Sequence, residues 1–110
     1  MSLHVAVTDA VYGIPAEGVR VNLFDRLDYG DWLEAGHDRT DLNGRVELPL
    51  DTSLDRALRL ELEMDAYYAT LGVRPAHPVI TLTINLTGKR PAPCVRLVVA
   101  PLAYVTYLEI

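Results

Sequence analysis

Short segments in which apolar and polar residues alternate dominate this chain, and they constrain its fold more than any other feature. Eight of them follow one another, each bounded by turn residues: 3–8, 19–24, 32–38, 45–50, 57–64, 79–86, 94–100 and 103–110. Because side chains alternate between the two faces of a β-strand, this period of two predicts eight strands. Many short strands joined by turns are typical of an antiparallel sandwich or barrel, so we predict an all-β fold.

The gaps between these segments carry local signals of their own. Asn43 and Gly44 both tolerate a positive φ, so this pair predicts a tight hairpin turn. The stretch 64–72 interrupts the alternation, and its alanines favour a short helix that Asp65 caps. Residues 51–57 leave two interpretations open, a helical turn or a loop that leads into the fifth strand.

The length of 110 residues and the net charge of −5 limit the possible partners. This length predicts a single domain, residues 1–110, in which a deep pocket would need a second subunit. The acidic balance argues against nucleic acid, because contacts to phosphate require a basic face. Apolar runs are far shorter than the roughly 18 to 20 residues of a membrane helix. We therefore expect neither nucleic acid nor a membrane as a partner.

Cysteine usage and the start of the sequence indicate a compartment. The first ten residues lack the basic start and long apolar stretch of a secretory signal. One cysteine, Cys94, precludes an internal disulfide and fits a reducing environment, so we expect a cytoplasmic protein. The three histidines lack metal-ligand spacing, and the chain contains no phosphate-binding loop, dinucleotide fingerprint or nucleophile elbow. We predict neither a metal nor a cofactor.

Several residues with possible chemical roles lie far apart in the sequence. Alternation places His4 and Ala6 on the strand face opposite the core. Arg96 shares a strand face with Cys94, and its charge would favour a thiolate. Each residue also has a plain alternative, because a histidine or an arginine such as Arg45 is often ordinary surface and a cysteine is often a small buried residue.

Four blocks of the sequence carry a family resemblance: "LHVAVTDAVYGIPAEGVRVNLF", "TDLNGRVELPL", "DAYYATLGVRPAHPVITLTINL" and "CVRLVVAPLAYVTYLEI". In this order and spacing they resemble the transthyretin family, and within it the 5-hydroxyisourate hydrolase branch. The resemblance implies a transthyretin-like two-sheet sandwich of about eight strands with one short α-helix. It also implies a homotetramer, a dimer of dimers whose edge strands pair and whose central channel binds a small molecule.

The hydrolase branch supplies expectations for individual residues. Its site uses a histidine on the N-terminal strand, an arginine after the glycine turn, a second histidine on the penultimate strand, and a tyrosine-arginine-glycine-serine tail. The first histidine and the arginine fall on His4 and Arg45, and the tyrosine falls on Tyr107. Cys94 stands in place of the second histidine, and residues 108–110 read Leu-Glu-Ile where the family has arginine-glycine-serine. The resemblance therefore implies a relative with a rebuilt site.

The rebuilt site has its own candidate groups. Cys94 would act as a nucleophile, an arginine would polarise a carbonyl or hold an anion, and His4 would transfer a proton. Glu109, on the same strand face as Tyr107, would orient His4 or act as a base. We predict catalytic roles for His4, Arg45, Cys94, Tyr107 and Glu109, and substrate contacts for Ala6, Arg96, Val98 and Val105.

Three functions remain open from the sequence. The first is an enzyme that hydrolyses, opens or rearranges a small carbonyl-bearing ring in a channel between subunits. The second is a non-catalytic tetramer that binds a small aromatic or acidic ligand, since the second histidine and the tail are replaced. The third is retained hydrolysis of 5-hydroxyisourate in urate catabolism.

Overall fold

The computed structural model describes residues 2–26, 30–50, 56–86 and 94–109. These ranges contain nine strands and one helix. In chain order the elements are β1 (Ser2–Asp9), β2 (Ile14–Pro15), β3 (Arg20–Arg26), β4 (Trp32–Arg39), β5 (Arg45–Pro49), β6 (Arg56–Glu63), α1 (Met64–Ala69), β7 (Val79–Leu86), β8 (Cys94–Val99) and β9 (Tyr104–Glu109). All eight predicted strands are confirmed, and β2 is an additional short strand. The possible helical turn at 51–55 lies outside the described residues.

The strands form two sheets. The first sheet has the order β2-β1-β8-β9, and β5 also pairs with β1. The second sheet has the order β4-β3-β6-β7. The pairing of β1 with β8 is parallel, whereas β5 and β9 run antiparallel to their neighbours in the first sheet. The predicted two-sheet, mostly β fold with one short helix is therefore confirmed.

The core lies between the inner faces of the two sheets. Along β1 the apolar residues point inward, so Leu3 and Val5 are buried while His4 between them is exposed. Burial of one such leucine or valine contributes roughly 1.5 to 3 kcal/mol relative to an exposed side chain. Residues of both sheets that are at most 3% exposed and share this core include Leu3, Val5, Val7, Val21, Leu23, Leu58, Leu60, Leu62, Ile80, Val95, Leu97 and Val99.

Helix α1 follows β6 without a loop, and this continuity changes its start. The residue before the helix is Glu63, and Asp65 lies in the first turn, so the prediction that Asp65 caps the helix is wrong. The Glu63 side chain makes no capping bond; its carboxylate instead accepts a hydrogen bond from Asn22 Nδ2 at 3.1 Å. The extended strand fixes where the helix begins, and local capping residues do not. No helix of the described ranges is long and apolar enough to cross a membrane.

The turn before β5 is not a hairpin, because β4 and β5 lie in different sheets. Gly44 has a φ of 71°, whereas Asn43 does not adopt a positive φ. The carboxylate of Asp41 holds the turn, since its Oδ1 accepts hydrogen bonds from the backbone N–H groups of Asn43 at 2.8 Å and Arg45 at 3.0 Å. The segment thus carries the chain from one sheet to the other and places Arg45 at the start of β5.

A buried carboxylate ties α1 to the loop after β1. Asp9 is fully buried, and its Oδ2 accepts a hydrogen bond from Tyr67 Oη at 2.6 Å. Its Oδ1 accepts from the backbone N–H groups of Val11 at 2.9 Å and Tyr12 at 3.3 Å. Burial, followed by the bond to Asp9, raises the pKa of Tyr67 well above its ordinary value. The folded state therefore holds the phenolic proton more tightly than the unfolded chain does.

This bond predicts a loss of stability in alkali. A group whose pKa is raised on folding stabilises the protein fully below its unfolded pKa, here about 10, and the stabilisation falls as pH rises further. We expect Tyr67→Phe to lower the free energy of unfolding by about 2 kcal/mol at neutral pH. The difference in the free energy of unfolding between parent and variant, measured by urea unfolding, should become smaller above about pH 10. Tyr107→Phe, at a tyrosine that is 52% exposed and does not act on Tyr67, is the control. A gap that stays constant with pH would contradict this account.

Candidate functional site

The outer face of the first sheet collects polar side chains that lie far apart in the sequence. Strand pairing aligns them in two rows that cross β5, β1, β8 and β9. The first row consists of Glu47, His4, Cys94 and Glu109. The second row consists of Arg45, Ala6, Arg96 and Tyr107. A further pair, Val98 and Val105, lies beside the second row. All the predicted site residues are therefore on one face of one sheet.

Alternation within the strands produces this face. In β8, Val95 and Leu97 point into the core, so Cys94 and Arg96 must point outward. Cys94 is partly buried, and the parallel register of β8 with β1 places it directly beside His4. Sequence reasoning predicted which side each residue takes, and the pairing of strands supplies which residues become neighbours.

An open depression of about 370 Å³ lies over the part of this face formed by β5, β1 and β8. Its walls include His4, Arg45, Cys94 and Arg96 together with two acidic residues that the sequence analysis did not single out, Asp41 and Glu47. Alternation from Arg45 along β5 would have placed Glu47 on the same face. Asp41 gave no such signal, because it precedes the strand. Tyr107, Glu109, Val98 and Val105 share the sheet face but do not line the depression.

Glu109 binds Arg96 and not His4. The Nε of Arg96 donates a hydrogen bond to Glu109 Oε2, diagonally across β8 and β9. This hydrogen bond, followed by the charge of Glu109, raises the pKa of Arg96. The positive charge beside Cys94 is therefore already paired with a carboxylate. Glu109 lies two strands from His4, with Cys94 of β8 between them, so its predicted role in orienting His4 stays a prediction.

Among the remaining polar side chains of the two rows, Cys94 and Tyr107 add to the raised pKa of Arg96 through their charge, after the larger effects of Glu109. No side-chain hydrogen bond or ion pair joins His4, Arg45, Glu47, Cys94 or Tyr107 to another described residue. Polar groups on an open surface that make no hydrogen bond or ion pair with the described residues are available to a ligand. The described residues contain no cluster of three or more histidine, cysteine, aspartate or glutamate side chains arranged to hold a metal ion.

The sheet orders, the short helix and the polar outer face together define a transthyretin-like β-sandwich. The chain belongs to the HIUase/transthyretin family, whose sequence model matches residues 1–108. Sea bream transthyretin in complex with thyroxine is a structural neighbour with a TM-score of 0.91 and 24% identity, covering 98% of this chain and 94% of the other. Transthyretin from Sparus aurata matches with a TM-score of 0.90 and 24% identity, covering 97% and 95%. At this identity the structural likeness shows the fold.

Proposed function

We propose that this protein is a small-molecule enzyme related to the 5-hydroxyisourate hydrolases, with a rebuilt site that hydrolyses, opens or rearranges a small carbonyl-bearing ring. The observation that carries the proposal is the meeting of His4, Arg45 and Cys94 in the walls of one depression. An imidazole, a guanidinium that has no side-chain partner within the described ranges, and a thiol are the groups that acyl chemistry needs for proton transfer, charge stabilisation and attack.

The charges of the depression favour a particular kind of ring. Arg45 and Arg96 contribute positive charge, while Asp41 and Glu47 contribute negative charge on the same walls. A ring that offers both hydrogen-bond donors and acceptors, such as a cyclic amide or ureide, would satisfy both signs. Arg45 can polarise the carbonyl of such a ring, and the carboxylates can accept hydrogen bonds from its N–H groups.

A second subunit would complete the site. On the single chain the depression is open, and Val105 and Tyr107 beside it are 63% and 52% exposed. A homotetramer that turns this face toward a central channel would exclude water from the ring and strengthen the charge interactions there. We propose this assembly, in the cytoplasm, as the working form of the enzyme.

Turnover of ring compounds tests the proposal. Freshly generated 5-hydroxyisourate and a panel of cyclic amides and ureides are followed by ultraviolet absorbance with and without the protein. We expect the parent to accelerate loss of at least one ring above its spontaneous rate and the double variant His4→Ala/Arg45→Ala not to do so. The double variant, purified identically, controls for contaminating hydrolases. Equal rates for parent and double variant on every ring would show that the proposal is wrong.

A non-catalytic binding protein is the second candidate, and the bond between Arg96 and Glu109 favours it. A guanidinium that is already paired is less available to a reacting carbonyl, while Tyr107 and Val105 offer exposed apolar surface to an aromatic ligand. A related structure, sea bream transthyretin, binds thyroxine. Recovery of a bound ligand unchanged after long incubation, with an affinity that His4→Ala does not alter, would support this candidate. Turnover would exclude it.

A further inference from the structure

We infer that Glu47, His4 and Cys94 act together as a carboxylate, an imidazole and a thiol, and that they open a cyclic amide through a thioester on Cys94. The inference rests on the proposed function and adds to it a covalent route and the residue that orients His4. Its new member is Glu47, a residue for which the sequence pattern alone suggested no role.

The register of three strands carries the inference. His4 is the direct partner of Glu47 on the antiparallel strand β5 and of Cys94 on the parallel strand β8. Neighbouring strands lie about 4.8 Å apart, and paired residues project to the same face of a sheet. The three side chains make no hydrogen bond to one another in the structure, and the inference is that side-chain rotation brings one ring nitrogen of His4 to the carboxylate and the other to the thiol. All three residues line the same depression.

The carboxylates at the two ends of the first row, Glu47 and Glu109, differ in their partners, and this difference indicates which of them orients His4. Glu109 is engaged by Arg96, whereas Glu47 has no side-chain hydrogen bond or ion pair to a described residue. Glu47 is therefore the carboxylate that can orient His4. Thiols and hydroxyls are activated for acyl transfer when a carboxylate orients an imidazole and the imidazole takes the proton of the nucleophile.

Cys94, His4 and Arg45, together with one water molecule, are sufficient to open a cyclic amide. The sulfur of Cys94 adds to the ring carbonyl carbon as His4 takes the thiol proton, and Arg45 stabilises the oxyanion. The C–N bond then breaks, His4 gives the proton to the leaving nitrogen, and an opened chain remains bound as a thioester. Water adds to the thioester carbon while His4 takes a proton, the C–S bond breaks, and the thiol is restored. The product carries one new carboxyl group and one new amine.

Alkylation of the thiol tests the role of Glu47. Cys94 is the single cysteine of the chain, so iodoacetamide labelling followed by intact mass reports on it alone. Loss of a nearby negative charge by itself should speed labelling. We expect Glu47→Gln instead to slow it by about two- to fivefold, the size expected for one exposed charge contact, with partial recovery in Glu47→Asp. Retained melting temperatures would show that these variants fold.

Glu109→Gln is the matched control, because it removes the same charge from the opposite end of the same row. It releases Arg96 beside the thiol, so labelling should become faster. If Glu47→Gln and Glu109→Gln both speed labelling, the residues act only through net charge and the role of Glu47 is excluded. The opposite signs of the two effects are thus the decisive result.

An acyl donor of known structure tests the covalent step. With p-nitrophenyl acetate, the parent should gain one acetyl group on Cys94 that hydroxylamine removes, and Cys94→Ala should gain none. Equal release of p-nitrophenolate by parent and Cys94→Ala would overturn the thioester. If Cys94→Ala opens a ring as fast as the parent while His4→Ala does not, the thioester route fails and the proposed enzyme stands. If the parent opens no ring, it is the proposed function that fails.

Discussion

Replacement of His4 by alanine is expected to lower kcat/KM for ring opening by roughly 10² to 10⁴, the usual contribution of a positioned acid or base. The stability of the protein should not change, because His4 is exposed and makes no side-chain hydrogen bond to a described residue. Steady-state kinetics on whichever ring the parent opens, together with urea unfolding, measures both quantities. A substantial loss of unfolding free energy would mean that His4 is structural.

Thr8→Ala provides the matched control for this prediction. Thr8 lies on the same strand and the same outward face as His4, and it is exposed, but it does not line the depression. It pairs with Val98 on β8, beyond both polar rows. Its replacement should leave kcat/KM within a small factor of the parent. A comparable loss in both variants would indicate a general disturbance of β1 and not a role for the imidazole.

Replacement of Gly44 by alanine is expected to remove about 3 to 5 kcal/mol of stability, because two costs combine at this position. Its φ of 71° is one that other residues adopt only with strain. A Cβ would also lie 2.4 Å from the Val7 carbonyl oxygen and 3.1 Å from the Ala16 nitrogen. Those two atoms are hydrogen-bonded to each other at 2.9 Å, and Val7 N donates to the Gly44 oxygen at 2.8 Å. The added methyl group therefore forces β1 away from its neighbours.

Gly18→Ala separates these two costs. Gly18 also has a positive φ, 80°, but a Cβ there would meet no heavy atom within 4 Å. We expect this variant to lose only about 1 to 2 kcal/mol, the cost of the backbone conformation. Urea unfolding of both variants gives the comparison. If Gly44→Ala were no less stable than Gly18→Ala, the close approach of the added Cβ to the Val7 carbonyl oxygen would not contribute to the loss of stability.

Sequence periodicity could predict the strands because side chains alternate between the two sides of a strand, and in strands such as β5 and β8 one side is buried while the other faces outward. It could not predict β2, a strand of two residues that exists only through the pairing of Thr8 and Asp9 with Pro15 and Ile14. Nor could it reveal that the Asn43-Gly44 turn joins different sheets, since the sheet to which a strand belongs is decided by partners distant in the chain. Local chemistry predicts strands and turns, while long-range pairing decides how they connect.

The candidate site shows the same division. Alternation predicted that His4 points outward, and the family resemblance predicted that His4, Arg45 and Cys94 share one site. Neither source could show that Glu109 turns to Arg96, because that contact is diagonal and depends on the register between β8 and β9. The neighbour of His4 on its other side, Glu47, follows from the pairing of β1 with β5.

The parallel pairing of β1 with β8 has a consequence for how the protein is made. His4 and Cys94 are adjacent in space, although almost the whole sequence lies between them. Contacts of such large sequence separation form late, because the entropic cost of closing the loop precedes the favourable free energy of the contact. During synthesis β1 can pair with β8 only after β8 has been made, so a chain that ends before residue 94 contains His4 without Cys94. Any chemistry that needs both residues therefore begins only after residue 94 has been synthesised and β1 has paired with β8.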